Sequence, residues 1–133
     1  MRRRAREAVL RSLYRREFLP LSPEELLAEE DVGRETAFAR SLLAGIFAHQ
    51  EEIDRIIDAR AVGWRLDRLP LVDRNILRLG LYELLFTDTP PEVVMDEAVE
   101  LAKAYGTEQA PVVVNGILDR EWKERRGDGR TLG

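Results

Sequence analysis

The sequence contains no cysteine, a single histidine and only two lysines in 133 residues. Without cysteine there are no disulfides, no thiol nucleophile and no thiolate metal site, and nothing points to an oxidising compartment, so the cytoplasm is the expected location. His49, with Glu51 and Glu52 beside it, offers no zinc-ligand spacing, and neither metal nor cofactor is expected. No run approaches the roughly 18 apolar residues that would span a bilayer. The start Met1-Arg2-Arg3-Arg4 is basic, but Arg6, Glu7, Arg11, Arg15 and Arg16 interrupt any hydrophobic segment behind it, so it is not expected to be a signal peptide or a membrane anchor. Also missing are a glycine-rich phosphate loop and a Gly-x-Ser-x-Gly nucleophile elbow. Asp96, Glu97 and Glu100 fit the solvated side of a helix better than an acid/base site. No catalytic residue is assigned, and a binding protein rather than an enzyme is expected.

What the chain does contain is unevenly distributed charge. The net charge is -4, but residues 1–16 carry seven arginines against Glu7, which is +6, leaving -10 on the remainder. An acidic body repels nucleic acid while a concentrated basic element attracts it, so any such binding should be confined to one patch. Nineteen of the 21 basic residues are arginine, a bias that base composition of the gene could also produce.

Hydrophobic periodicity predicts an all-α fold. Residues 3–18 place Ala5, Ala8, Val9, Ser12 and Leu13 on one face and stop before Pro20. Ser22-Pro23-Glu24-Glu25 has the form of a capping box with proline at the first helical position, opening a short helix to about Glu30. From Arg34, the stripe Phe38, Leu42, Gly45 or Ile46, His49, Ile53 and Ile56 or Ile57 supports one long helix, or two bent at Gly45 or at Gln50-Glu51-Glu52. Pro70 precedes Leu71 to Phe86, apolar on all sides and therefore expected at the centre with other helices wrapped around it. Thr89-Pro90-Pro91-Glu92 suggests a second capping box, followed by a helix that Gly106 ends. Val112-Val113-Val114 would suit a strand alone, but Pro111 before it and Ile117, Leu118 and Trp122 after it favour a last helix. Residues 1–124 are expected to form one domain and 125–133 a flexible C-terminal tail.

On the first helix, Arg4, Arg11 and Arg15 fall within about 40° of one another, forming a basic ridge opposite the apolar stripe. Guanidinium groups in a row can grip phosphates and stack on unpaired bases, which suits single-stranded RNA. Tyr14 lies on the polar side of the same helix, where core packing does not require an aromatic, and is a candidate contact for a protein partner or a base.

Three segments together resemble the NusB family of transcription antitermination factors. They are Arg2-Arg3-Arg4-Ala5-Arg6-Glu7 with Leu13-Tyr14; Ile76-Leu77-Arg78-Leu79-Gly80-Leu81-Tyr82-Glu83-Leu84; and Glu97-Ala98-Val99-Glu100-Leu101-Ala102-Lys103 followed by Val114-Asn115-Gly116-Ile117-Leu118-Asp119. The resemblance implies about seven helices in two packed sub-bundles around the central apolar helix. It also implies a heterodimer with the ribosomal protein NusE that binds boxA RNA in nascent ribosomal RNA leaders, within an RNA polymerase antitermination complex containing other Nus factors. By the same resemblance Arg2, Arg3, Arg4 and Arg6 contact RNA, with Arg11 on the same helix, while Lys103 and the loop with Gly106, Thr107 and Gln109 sit beside it. Tyr14, Asp73 and Arg74 fall at the NusE surface. The chain departs from the family pattern at Val112-Val113, where many members carry Lys-Phe, and at Gln109, where an acidic residue is familiar. Gly116, costly inside a helix, suggests close packing against another element.

Two other functions are compatible with parts of the pattern. A NusB-like domain also precedes the catalytic domain of some ribosomal RNA methyltransferases, so the chain could be a detached RNA-recognition module. A DNA-binding helical regulator is disfavoured by the acidic body and by the lack of a turn followed by a recognition helix. Whether the free chain is a monomer or a homodimer is left open by the sequence.

Overall fold

The computed structural model describes residues 2–64 and 68–132, with side chains described through residue 126. It contains six α-helices: α1 (Arg3–Arg16), α2 (Pro23–Leu27), α3 (Thr36–Gly63), α4 (Leu71–Phe86), α5 (Pro91–Tyr105) and α6 (Ala110–Leu132). A single 3-10 turn, Gly33–Glu35, leads into α3, and no strand occurs among the described residues. Helices α1, α2 and α3 pack on one another, as do α4, α5 and α6, and α4 joins the groups through α1 and α3. The all-α fold in two sub-bundles is thus present, with six α-helices among the described residues where about seven are expected.

The local chemistry explains most of the boundaries. All five residues of the expected α1 stripe are buried, and Leu10 joins them. After Arg16 the chain tightens into turns, with the Glu17 N–H donating to the Tyr14 carbonyl, before Pro20 can break the helix. Ser22 caps α2 as expected: its hydroxyl accepts from the Glu25 N–H and the Glu25 carboxylate accepts from the Ser22 N–H. The α2 helix nevertheless ends at Leu27, short of Glu30. Thr89, by contrast, does not cap α5. Its hydroxyl meets Glu83 and Thr87 instead, and the residue at the cap position is Pro90.

Neither expected bend interrupts α3, which runs 28 residues, roughly 42 Å, as one helix. Gly45 is a notch: a Cβ there would collide with the Tyr82 ring from α4. Gly116 serves the same purpose on α6, where a Cβ would overlap the Trp64 indole, so the glycine reflects close packing.

Helix α4 is central, touching α1, α3, α5 and α6, and its Ile76, Leu77, Leu79, Leu81 and Leu84 are buried. It also buries Asp73, Asn75, Arg78 and Glu83, which the all-round apolar pattern obscures. Arg78 donates to both carboxylate oxygens of Asp54 at 2.8 and 3.0 Å and to Asn75 at 2.8 Å, tying α3 to α4. Burial opposes charge on Arg78, but the bonds to Asp54 outweigh it and its pKa is raised.

The last element is a helix. Ala110, Val113, Val114, Ile117, Leu118 and Glu121 are buried at spacings of three and four, while Val112 faces out. Its backbone stays helical to Leu132, through the segment expected to be a loose tail. Arg60 of α3 donates to Glu121 and Glu124 of α6, and the pairs with Arg60 and Arg120 hold the Glu124 carboxyl down at about 2. No helix is long and apolar enough to cross a membrane, among the described residues.

Candidate nucleic-acid interface

The arginines of α1 are divided by their surroundings. Arg2, Arg3 and Arg4 are exposed at its N-terminal end. Arg2 lies over the Phe38 ring at 4.0 Å, a cation–π contact. Arg3 donates to Glu97 of α5 at 2.7 Å, with its side chain 49% exposed, and Arg4 donates to Asp31 at 3.2 Å. The bond from Arg3 is the main reason the Glu97 carboxyl lies below the ordinary range, with burial opposing and the charges of Arg3 and Arg6 assisting.

Arg6 departs from the expected RNA-contacting role. Its side chain is 6% exposed and forms a two-bond pair with Glu83, so it cannot reach RNA without leaving the core. The spacing of the motif hides this, because Arg6 shares the face of Ala5, Val9 and Leu13, all buried. Its guanidinium bridges α1 to α4 instead.

The expected basic ridge is paired with carboxylates but not covered: Arg4 and Arg11 are exposed and Arg15 is half-buried. The acidic run Glu29-Glu30-Asp31 after α2 folds back against it, with Arg4 on Asp31 and both Arg11 and Arg15 on Glu30. Opposite charge drives this contact, and sequence periodicity within one helix could not display it. Arg11 consequently lines a different cleft from Arg3, that of Tyr14.

A groove of about 750 Å³ runs between the N-terminal end of α1, α5 and the start of α6, lined by Arg3, Glu97, Glu100, Lys103, Val112 and Asn115 among others. It brings Arg3 together with Lys103, which lies far from it in the chain. Lys103 is exposed and 3.7 Å from Glu100. Exposed pairs of this kind contribute at most about 1 kcal/mol, so a phosphate could replace the carboxylate partner at small cost.

The loop beyond α5 is anchored at one point. Asp73, only 2% exposed, accepts from the Thr107 N–H at 3.1 Å and from its hydroxyl at 2.6 Å. The resemblance puts Asp73 on a partner-facing surface; burial makes it the support of residues 106–109 instead. A Cβ on Gly106 would lie 2.8 Å from the Ala102 carbonyl and 3.1 Å from Asp73, so the close approach requires glycine. Gln109 is exposed. Arg74 donates to Asp58 at 2.8 Å, on the α3 side of α4.

Tyr14 is 47% exposed and stacks edge-on with Phe18, itself 66% exposed, with Leu19 adjacent. It opens onto a largely apolar cleft of about 720 Å³ whose walls include Leu10, Val72 and Tyr105. The Tyr105 hydroxyl donates to Glu7 at 3.0 Å, and burial followed by that bond raises its pKa. Tyr105, Phe18, Asn75 and Glu30 do not emerge as site residues from the sequence. Only Asn75, a polar residue inside an apolar helix, carries a signal that could reveal it.

Known proteins resemble this chain in both sequence and fold. The sequence profile of the NusB family matches residues 3–122. The transcription antitermination protein NusB of Myxococcus xanthus is 43% identical over 129 residues, covering 90% of this chain and 92% of its own. A solved structure of T. maritima NusB superposes with a TM-score of 0.83 at 45% identity, covering 93% of this chain and 92% of that one. A structure of the antitermination factors NusB and NusE in complex with double-stranded RNA gives a TM-score of 0.79 at 35% identity, over 92% of this chain and 96% of that one. By its profile match, its identity to curated relatives and its fold, the chain belongs to the NusB family.

Proposed function

We propose that this protein is a transcription antitermination factor that binds boxA-type RNA of nascent ribosomal RNA leaders together with NusE, and thereby keeps RNA polymerase processive within a complex of Nus factors in the cytoplasm. The observation that carries this reading is the groove joining Arg3 to Lys103, flanked by exposed Arg2 and Arg4. These are solvent-exposed cations at one end of an otherwise acidic molecule. Phosphate contacts from them make binding strongly salt-dependent, because each contact releases a counterion. Tyr14, with the exposed Phe18 beside it, is the proposed NusE contact, spatially separate from the groove around Arg3.

The test measures affinity for boxA RNA across a salt series, with and without NusE, for the wild type and an Arg3→Ala/Arg4→Ala variant. The variant is expected to flatten the slope of log K against log salt by roughly 0.7–0.9 for each phosphate it no longer neutralises. Failure of the wild-type chain to bind boxA RNA in both conditions overturns the reading, and an unchanged slope in the variant removes the α1 arginines from the interface. A parallel series on duplex RNA of the same sequence distinguishes single-strand from duplex recognition.

A further inference from the structure

Among the described residues two buried side-chain nitrogen atoms have no hydrogen-bond partner, Asn75 Nδ2 and Arg15 Nε, and both residues line the Tyr14 cleft. Buried polar groups are nearly always paired, so two orphan donors in the wall of one cleft mark a place where an acceptor belongs. Asn75 is 0% exposed, and its amide orientation is set from the other end, because Oδ1 accepts from Arg78 Nη1 at 2.8 Å. Nδ2 is thereby left as the donor without a use. Arg15 Nη2 is occupied, donating to the Leu26 carbonyl, to Ser12 and to Glu30.

The charges of the cleft restrict the acceptor. Its cations, Arg11 and Arg15, are both paired with Glu30, and Glu29 adds a further carboxylate to the wall. With these charges balanced and the rest of the lining mostly apolar, a neutral carbonyl with an apolar neighbour fits the cleft, meeting both a donor and an apolar surface. We infer that the cleft receives an extended polypeptide segment of the NusE partner, with a backbone carbonyl accepting from Asn75 Nδ2 and Arg15 Nε and a neighbouring apolar side chain lying against Leu10, Val72 and Tyr105. The exposed Tyr14 and Phe18 extend the same apolar surface outside the cleft. Binding must uncover the two donors, and Tyr14 and Tyr105, 47% and 38% exposed, are the wall residues that can turn to do so. This inference rests on the proposed pairing with NusE and adds which donors select the bound segment.

The test uses the full chain and NusE from the same organism. Asn75→Asp keeps Oδ1 for Arg78 but replaces the donor by an oxygen that repels a carbonyl. Calorimetric titration is expected to give NusE affinity at least tenfold weaker for this variant, with boxA RNA affinity in the absence of NusE unchanged. In the wild-type chain, the Asn75 side-chain NH2 resonances are expected to shift on saturation with NusE, a measurement independent of how the variant folds. Equal NusE affinity for wild type and a folded Asn75→Asp variant, or Asn75 side-chain signals unmoved in the saturated complex, overturns the inference and means that water alone fills the cleft; NusE pairing itself then stands. Absence of any binding between the wild-type chain and NusE overturns both.

Discussion

Arg6 and Glu83 join the first and fourth helices as a two-bond pair, Nε to Oε2 at 2.6 Å and Nη2 to Oε1 at 2.8 Å, with both side chains nearly sealed from solvent. Burial opposes the charge on Arg6, and the hydrogen bonds and charge of Glu83 outweigh it, so its pKa is raised. Thr89 donates to the same carboxylate at 3.3 Å. A planar guanidinium fits this geometry and an ammonium does not. Arg6→Ala strands the Glu83 charge and is expected to cost roughly 3–5 kcal/mol. Arg6→Lys should recover only part of this. Urea denaturation measures both, and a change under about 1 kcal/mol for Arg6→Ala would mean that Arg6 behaves as a surface residue.

On the proposed reading, Glu97, which is paired with Arg3, competes with RNA for it. Glu97→Gln removes the charge that occupies Arg3 and eases the repulsion of phosphate from the groove, so boxA RNA should bind more tightly. Because Arg3 is exposed, the gain should be modest, roughly two- to fivefold at low salt and smaller as salt rises. Fluorescence anisotropy at two salt concentrations is sufficient. Weaker binding by this variant would mean that Glu97 positions Arg3 for RNA instead of competing for it.

The same carboxylate predicts an acid dependence. Its pKa in the folded chain lies below the ordinary value of 4.5, first because of the bond from Arg3. A depressed carboxylate contributes stability that is fully present above its unfolded pKa and is lost as pH falls through the folded value. The wild type should therefore lose its advantage over Glu97→Gln as pH drops from about 5.5 to about 3. Thermal unfolding of both proteins across that range gives the comparison, and parallel curves would contradict the assignment.

Gly45 and Tyr82 should behave as a coupled pair. Alanine is a better helix former than glycine by about 1 kcal/mol, but at position 45 its Cβ overlaps the Tyr82 ring. Tyr82 also stacks with Phe86 at 5.7 Å between ring centres, which restricts its retreat. Gly45→Ala is expected to destabilise by about 1–3 kcal/mol alone. In a Tyr82→Ala background the same change should be neutral or stabilising. Additive effects in the double-mutant cycle would show that the two sites are uncoupled.

Asp73 should control the loop at residues 106–109 from beneath. Asp73→Ala leaves the Thr107 N–H without its acceptor, a loss of roughly 1–3 kcal/mol. Amide hydrogen exchange at Thr107 and its neighbours should accelerate more than in the α3 core. Uniform acceleration throughout the protein would instead indicate global destabilisation.

Much of the fold follows from local chemistry. Apolar spacing locates the five long helices, Ser22 and Glu25 open α2, and the apolar excess of residues 71–86 places α4 at the centre. The same spacing reads α6 correctly despite three consecutive valines, because the buried positions recur at three and four. Gly45 is not the bend it suggests, since a glycine reports only that room is needed. Whether that room serves a kink or a neighbour's ring depends on α4, which arrives from elsewhere in the chain. Thr89 is not a cap for a related reason: Glu83, buried with Arg6, competes for its hydroxyl.

The sequence by itself determined the helices, the family and the concentration of arginine at one end, all properties of neighbouring residues or of their order. Only the tertiary structure decided which arginines are available. Arg6 is sealed in with Glu83 and Arg15 is half-buried against Glu30, while Arg2, Arg3, Arg4 and Arg11 remain exposed, Arg3 paired with Glu97 and Arg11 with Glu30, and Lys103 is brought beside Arg3 from α5. The physical reason is that periodicity gives the angle of a charge about its own helix. The energy of that charge depends on burial and on carboxylates up to 94 residues away, which meet it only when the helices pack.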